Sequence, residues 1–246
     1  MRRLLPLFAV FATLATSLIF HSQPAAAMTM LRANDTLILY GRVVADDAQR
    51  FRRNLSGGEV HNVVLSESPG GDLNAAYGIA QLIRGRKINT AVQGNCFSSC
   101  AIIFMAGTER RMLDSKNLAN TKLGFHGPHN KETHEVSTEA IPKLREWLLN
   151  ATDGKFPDAL LDQAMYIKSA GDMMFFHYPG ADKKRGNIRF CTAGKLDHPR
   201  KCETIEGYDV VSVGILTTAE LLKVEELDQQ AADGKENPVA TENLKQ

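Results

Sequence analysis

Apolar residues in this chain come in short blocks cut by polar turns, and the blocks alternate between two periods. Leu37 to Val44 (LILYGRVV) is apolar enough for a strand, and Ala45 to Leu55 follows with helical spacing until Ser56-Gly57-Gly58 stops it. Asn62 to Ser66 (NVVLS) is a short buried strand, and Ser68-Pro69-Gly70-Gly71 is a turn. Asp72 to Arg84 places Leu73, Ala76, Ala80 and Ile83 on one helical face. Asn89 to Gln93 reads as a third strand, Ser98 to Ala106 as an apolar helix and Lys122 to Phe125 as another strand. Glu139 to Asn150 and Pro157 to Ser169 read as successive helices, Asn187 to Thr204 as a hairpin, and 217–224 as a last short helix. Strands alternating with helices predict an α/β fold with a largely parallel sheet covered on both faces.

The first block differs from the rest. Arg2 and Arg3 precede an apolar run from Leu4 to Phe20, then Pro24 and Ala25-Ala26-Ala27. A positive start, a short apolar stretch and an A-x-A site are the parts of a secretory signal, predicting cleavage after Ala27 and a periplasmic or secreted protein. The alternative is an uncleaved anchor, for which the run sits at the short limit. The domain reading is therefore 1–27 signal peptide, 28–226 folded domain and 227–246 a polar, disordered tail. A net charge of +1 argues against a nucleic-acid partner, and four cysteines are too few for a disulfide-built scaffold.

Three segments carry candidate chemistry. The glycine pair Gly70-Gly71 lets backbone approach a ligand, with the N–H groups of the following helix start facing the same spot. Alone, it reads as a plain turn capped by Asp72. Ser98 and Ser99 sit where a polar segment opens into an apolar helix, a place suited either to a nucleophile or to a helix cap. His126, in Gly-Phe-His-Gly-Pro-His, follows an apolar strand at the sheet edge where α/β proteins place their sites. His129, Glu132, His134 and Glu135 follow closely, but the stretch is loop-like and solvated, so no metal is expected. Nothing in the sequence calls for a cofactor.

In order and spacing, these segments resemble the ClpP/crotonase superfamily, and more closely its exported Clp-protease-like serine peptidases. The series is Ser-Pro-Gly-Gly, helix, strand, Gly-x-x-x-Ser, apolar helix ending Ala-Gly, strand and His-x-Pro. The likeness spans about Leu37 to Leu222, with its specific motifs between Leu65 and Pro128. It implies a spiral of ββα units and a serine hydrolase acting on peptide or protein without ATP, with no membrane partner after signal cleavage. Relatives of the fold commonly assemble into rings or trimers. It implies Ser98 as nucleophile and His126 as general base. The oxyanion hole would be the N–H of Gly70, with Gly71 as a second option, together with that of Ser99. It implies a later acidic residue as third member, best matched by Asp172, with Asp153, Asp158, Asp162 and Asp182 nearby. Ser99 is the alternative nucleophile if the register slips by one. Phe97 and Cys100 depart from the small residue and the glycine that Clp proteases carry. A catalytically silent binding or scaffold protein of the same fold is the competing reading.

Cys191 and Cys202 lie on the two arms of the predicted hairpin and pair most naturally there. That leaves Cys96 with Cys100 flanking Ser98, either bridged or as two buried thiols.

Overall fold

The computed structural model describes residues 27–130, 133, 135–180, 186–194 and 200–223. Residues 1–26 and 224–246, which hold most of the expected signal segment and the polar tail, lie outside the described residues. So do Glu132, His134 and Asp182.

Among the described residues nine strands form one mixed sheet. They are β1 (Thr29–Ala33), β2 (Thr36–Tyr40), β3 (Asn62–Ser68), β4 (Asn89–Phe97), β5 (Arg110–Met112), β6 (Lys122–Phe125), β7 (Met173–His177), β8 (Ile188–Cys191) and β9 (Cys202–Thr204). The order is β1-β2-β3-β4-β6-β7-β8-β9, with β5 beside the first half of β4. Strands β2 to β6 run parallel. Beyond them β1 and the β7–β9 meander are antiparallel, so the expected parallel sheet is the centre of a mixed one.

The described residues hold five α-helices: α1 (Asp47–Leu55), α2 (Leu73–Gly85), α3 (Ser99–Phe104), α4 (Ile141–Ala151) and α5 (Asp158–Met165). Buried side chains from all five join one cluster with Leu37, Leu39, Val63, Leu65, Val92, Leu123 and Phe176 of the sheet. The alternate strand residues Ile38, Val64 and Ala91 form a second, small cluster with Ala33, Leu113 and Leu222, to which no helix contributes. Among the described residues the helices thus cover one face, not both as the alternation predicts. Period two along the strands explains the split, since neighbours in sequence point to opposite faces.

Several boundaries moved for local reasons. β2 stops at Tyr40 because Gly41 turns the chain at φ 93°. β4 runs on to Phe97, because β6 pairs with its second half at Asn95, Cys96 and Phe97. The segment 217–224 is not helical over its described part. Leu222 pairs with Leu113, its N–H donating to Met112 O at 2.9 Å and its carbonyl accepting from Asp114 at 2.8 Å. Extended chain there satisfies the open edge beyond β5, which outweighs a weak helical pattern.

Arg110 anchors the C-terminal segment. Its guanidinium is buried, donating to Ile215 O (3.1 Å), Gly107 O (3.0 Å) and Gly214 O (2.8 Å). Burial lowers its pKa to about 10, still charged at neutral pH. The β8–β9 hairpin forms as expected, with Cys191 opposite Cys202 and bonded to it.

Candidate active site

The site is built where β4 gives way to α3. Ser98 sits at that junction with φ 56° and ψ −124°, a region that side chains with a Cβ rarely enter. The Ser98 N–H donates to Gly124 O at 2.8 Å, fixing the turn to β6. Its side chain makes no cap bond, so the bland capping role does not account for this serine. Helix α3 has only six residues, so it offers local N–H groups and little macrodipole. Ser99 is buried, and its hydroxyl has no hydrogen-bond partner among the described residues.

The Gly70-Gly71 turn packs directly on this junction. A Cβ placed on Gly70 would lie 2.5 Å from Phe97 O, 2.8 Å from Ser98 Cβ and 2.9 Å from Ser99 N, so only glycine allows the approach. The turn is held from outside by the segment after β2. Val43 N–H donates to Gly70 O (3.0 Å) and Asp72 N–H to Val43 O (2.9 Å), bonds in which the Gly71 N–H takes no part. Asp72 caps α2 by accepting from Ala75 N–H at 2.8 Å. The Gly70 N–H donates to Ser68 Oγ at 3.3 Å, inside the turn. Among the described residues no hydrogen bond engages the N–H of Gly71 or of Ser99.

His126 follows β6, whose pairing with β4 at Phe97–Gly124 brings it to the same end of the sheet as Ser98. Its Nδ1 lies 2.7 Å from Gly127 O. A carbonyl only accepts, so Nδ1 carries the proton and Nε2 is left with its lone pair, the tautomer a general base needs. Burial and the neighbouring His129, 5.0 Å away ring to ring, hold the imidazole pKa below 6.5 against the raising effect of Gly127 O. An NMR titration of His126 is therefore expected to give a midpoint under 6.5; one above it removes the buried-base picture. The sign for stability follows. Neutral His126 stabilises the fold above pH 6.5, and this contribution is lost as pH falls toward the lower folded-state value.

Ser98, Ser99, Gly71, His126 and His129 share one pocket of about 430 Å³ with Arg42 and Asp72. Leu73, Ile102, Phe125 and Leu144 form its apolar wall. No hydrogen bond joins Ser98 Oγ to His126 among the described residues.

Asp172 does not join them. Its buried carboxylate accepts from the N–H groups of Lys168 (3.1 Å), Ser169 (3.1 Å) and Ala193 (2.8 Å), tying the loop before β7 to the end of β8. Three backbone donors hold it where it is, and Gly127 O occupies the His126 nitrogen it was expected to hold. Nor do the other described acids supply a partner: Asp158 and Asp162 both face Arg145. Asp153 sits in a turn at φ 51°. The His-Gly-Pro motif does not reveal that Gly127 itself, through its carbonyl, holds the imidazole. A Cβ there would lie 1.8 Å from Met165 O, so this position also requires glycine.

Cys96 and Cys100 are bonded, with Cα atoms 5.3 Å apart on either side of Ser98. Among the described residues no cluster of His, Cys, Asp and Glu could hold a metal, and no helix is long and apolar enough to cross a membrane.

No protein-family model matches the sequence, and no curated protein sequence matches it. Among solved structures, a ClpP1 mutant from Listeria monocytogenes is similar at TM-score 0.47 and 15% identity, over 78% of this chain and 94% of that one. The chemistry of the pocket therefore stands on its own geometry.

Proposed function

We propose that this chain is an exported, ATP-independent serine hydrolase, a peptidase in its first reading, built on a ClpP/crotonase-like spiral of ββα units. One observation carries the reading. Ser98 holds a strained backbone conformation, with its hydroxyl free of any cap, in a pocket it shares with a histidine already in the base tautomer. Strain of this kind clusters at reacting groups, where it exposes the side chain.

His126 Nε2 takes the Ser98 proton as Oγ attacks the carbonyl, and returns it to the leaving group. Ser99 N–H, with Gly71 or Gly70, receives the oxyanion. Gly71 and Ser99 have unengaged N–H groups, whereas Gly70 must first release Ser68. The Gly127 carbonyl orients the imidazole, so a Ser98–His126 pair acts without a third member once Nε2 closes on Ser98 Oγ. Asp172 completes a triad only by leaving its three backbone donors. The apolar wall suits a hydrophobic side chain next to the scissile bond.

The test is labelling by a fluorophosphonate probe. One modified serine, Ser98, is expected. The silent-scaffold reading is favoured by the engagement of Asp172 elsewhere, and by the absence of a Ser98–His126 hydrogen bond. A well-folded protein that never labels and never cleaves peptides or esters establishes that reading instead.

Export agrees with the two disulfides, which persist outside the reducing cytoplasm. Cleavage after Ala27 predicts a mature protein beginning at Met28. Intact-mass measurement of the exported protein checks this, and a mass that retains residues 1–27 overturns it.

A further inference from the structure

We infer that the Cys96–Cys100 disulfide is the positioning device of the nucleophile turn: it holds Ser98 in its reactive conformation and governs turnover, not substrate affinity. The inference rests on the reading of Ser98 as nucleophile.

The strained conformation of Ser98 needs an external cause, because a residue with a Cβ relaxes out of that region unless its surroundings over-determine it. The serine does not hold itself there, since its side chain has no cap bond. On its N-terminal side the chain is fixed. Cys96 pairs with Ser68 on one side and with Leu123 on the other. On its C-terminal side stands α3, six buried residues that begin at Ser99 and would gain a residue at the front if Ser98 became helical. The disulfide joins these two sides across Ser98 with a sequence separation of four. A helical Ser98 would rotate α3 relative to β4, and the bond between the buried sulfurs forbids that rotation. The same clamp keeps the Ser99 N–H beside Gly70, where the turn and the junction already touch.

The other disulfide serves as an internal control. Cys191–Cys202 closes the β8–β9 hairpin at the edge of the sheet, and neither cysteine lines the pocket. Both bonds restrain the unfolded chain, but only the first spans the nucleophile.

The experiment uses mature, oxidised protein and two double variants, C96V/C100A and C191A/C202A. Fluorophosphonate inactivation is separated into a binding constant and a limiting rate. For C96V/C100A the limiting rate is expected to fall about 10²-fold, the usual cost of misplacing a reacting group by roughly 1 Å. The binding constant should stay within about twofold, at a temperature well below the melting point. C191A/C202A should keep the wild-type limiting rate. A crystal structure of C96V/C100A should show Ser98 outside the positive-φ region. An unchanged limiting rate, an equal loss in C191A/C202A, or Ser98 still at positive φ in C96V/C100A overturns the inference. If C96V/C100A does not fold, phosphine-reduced C191A/C202A, compared with the same variant oxidised, takes its place with the same readouts. An oxidised wild type that does not label, together with a variant in which Ser98 relaxes, sinks the hydrolase reading and leaves the positioning role intact.

Discussion

Replacing Ser98 by alanine is expected to abolish probe labelling and lower any peptide or ester hydrolysis by three orders of magnitude or more, while the melting temperature stays within a few degrees. The large effect follows from a nucleophile and base acting as a unit. His126→Ala should give a similar loss, and the double variant should be little worse than either. The small effect on stability follows from the geometry, since the Ser98 hydroxyl makes no cap bond that alanine would forfeit. Ser98→Gly sharpens the comparison. Glycine enters positive φ without steric cost, so this variant should be equally inactive but more stable, by about 1 kcal/mol. A serine that stabilised its helix as a cap would behave in the opposite way, with glycine and alanine both destabilising. Activity retained by folded Ser98→Ala moves the nucleophile, first to Ser99.

The second large effect falls on stability and lies away from the pocket. Arg110→Met should destabilise the fold by about 3–5 kcal/mol, because three carbonyls that now accept from a buried guanidinium lose their donor. Two of these carbonyls, at Gly214 and Ile215, belong to the segment that returns to β5 through Thr217 and Leu222. Hydrogen exchange in 209–222 should therefore accelerate first. Lysine at position 110 reaches with a single ammonium where three directed donors are needed, so Arg110→Lys should recover only part of the loss. Chemical denaturation measures both variants, and a change under about 1 kcal/mol for Arg110→Met removes the anchoring role.

Elements with a strong local pattern were readable from sequence. β6 occupies the expected Lys122–Phe125, and α2 lies within one residue of the amphipathic stretch from Asp72 to Arg84. The hairpin and the Cys191–Cys202 pairing follow from residues near each other along the chain, whereas the sequence leaves Cys96 and Cys100 open and the structure bonds them. β1, β5 and β7 lie outside the elements that the pattern predicts. β5 has only three residues, β1 (TMLRA) shows no clear alternation, and β7 (MMFFH) is apolar at nearly every position, a pattern that carries no period. The expected helix 157–169 overruns α5 by one residue at its start and four at its end. The structure ends α5 at Met165, and Lys168 and Ser169 instead donate backbone N–H groups to Asp172.

The sequence by itself determined which residue types stand at the junctions: the glycine pair at 70 and 71, the serine between a strand and an apolar helix, the histidine after β6, and the two cysteines around Ser98. These are local properties, set by turn chemistry and by the period of the apolar positions. Only the tertiary structure decided which groups meet. It brought Gly70 against Ser98 through the parallel pairing of β3 with β4, and His126 to the same pocket through β6. It also gave the Nδ1 proton of His126 to Gly127 O and the Asp172 carboxylate to three backbone donors. The physical reason is that a buried hydrogen-bonding group takes whichever partner the packed backbone presents. That choice depends on strand order and register between residues far apart in the chain, which no local pattern contains.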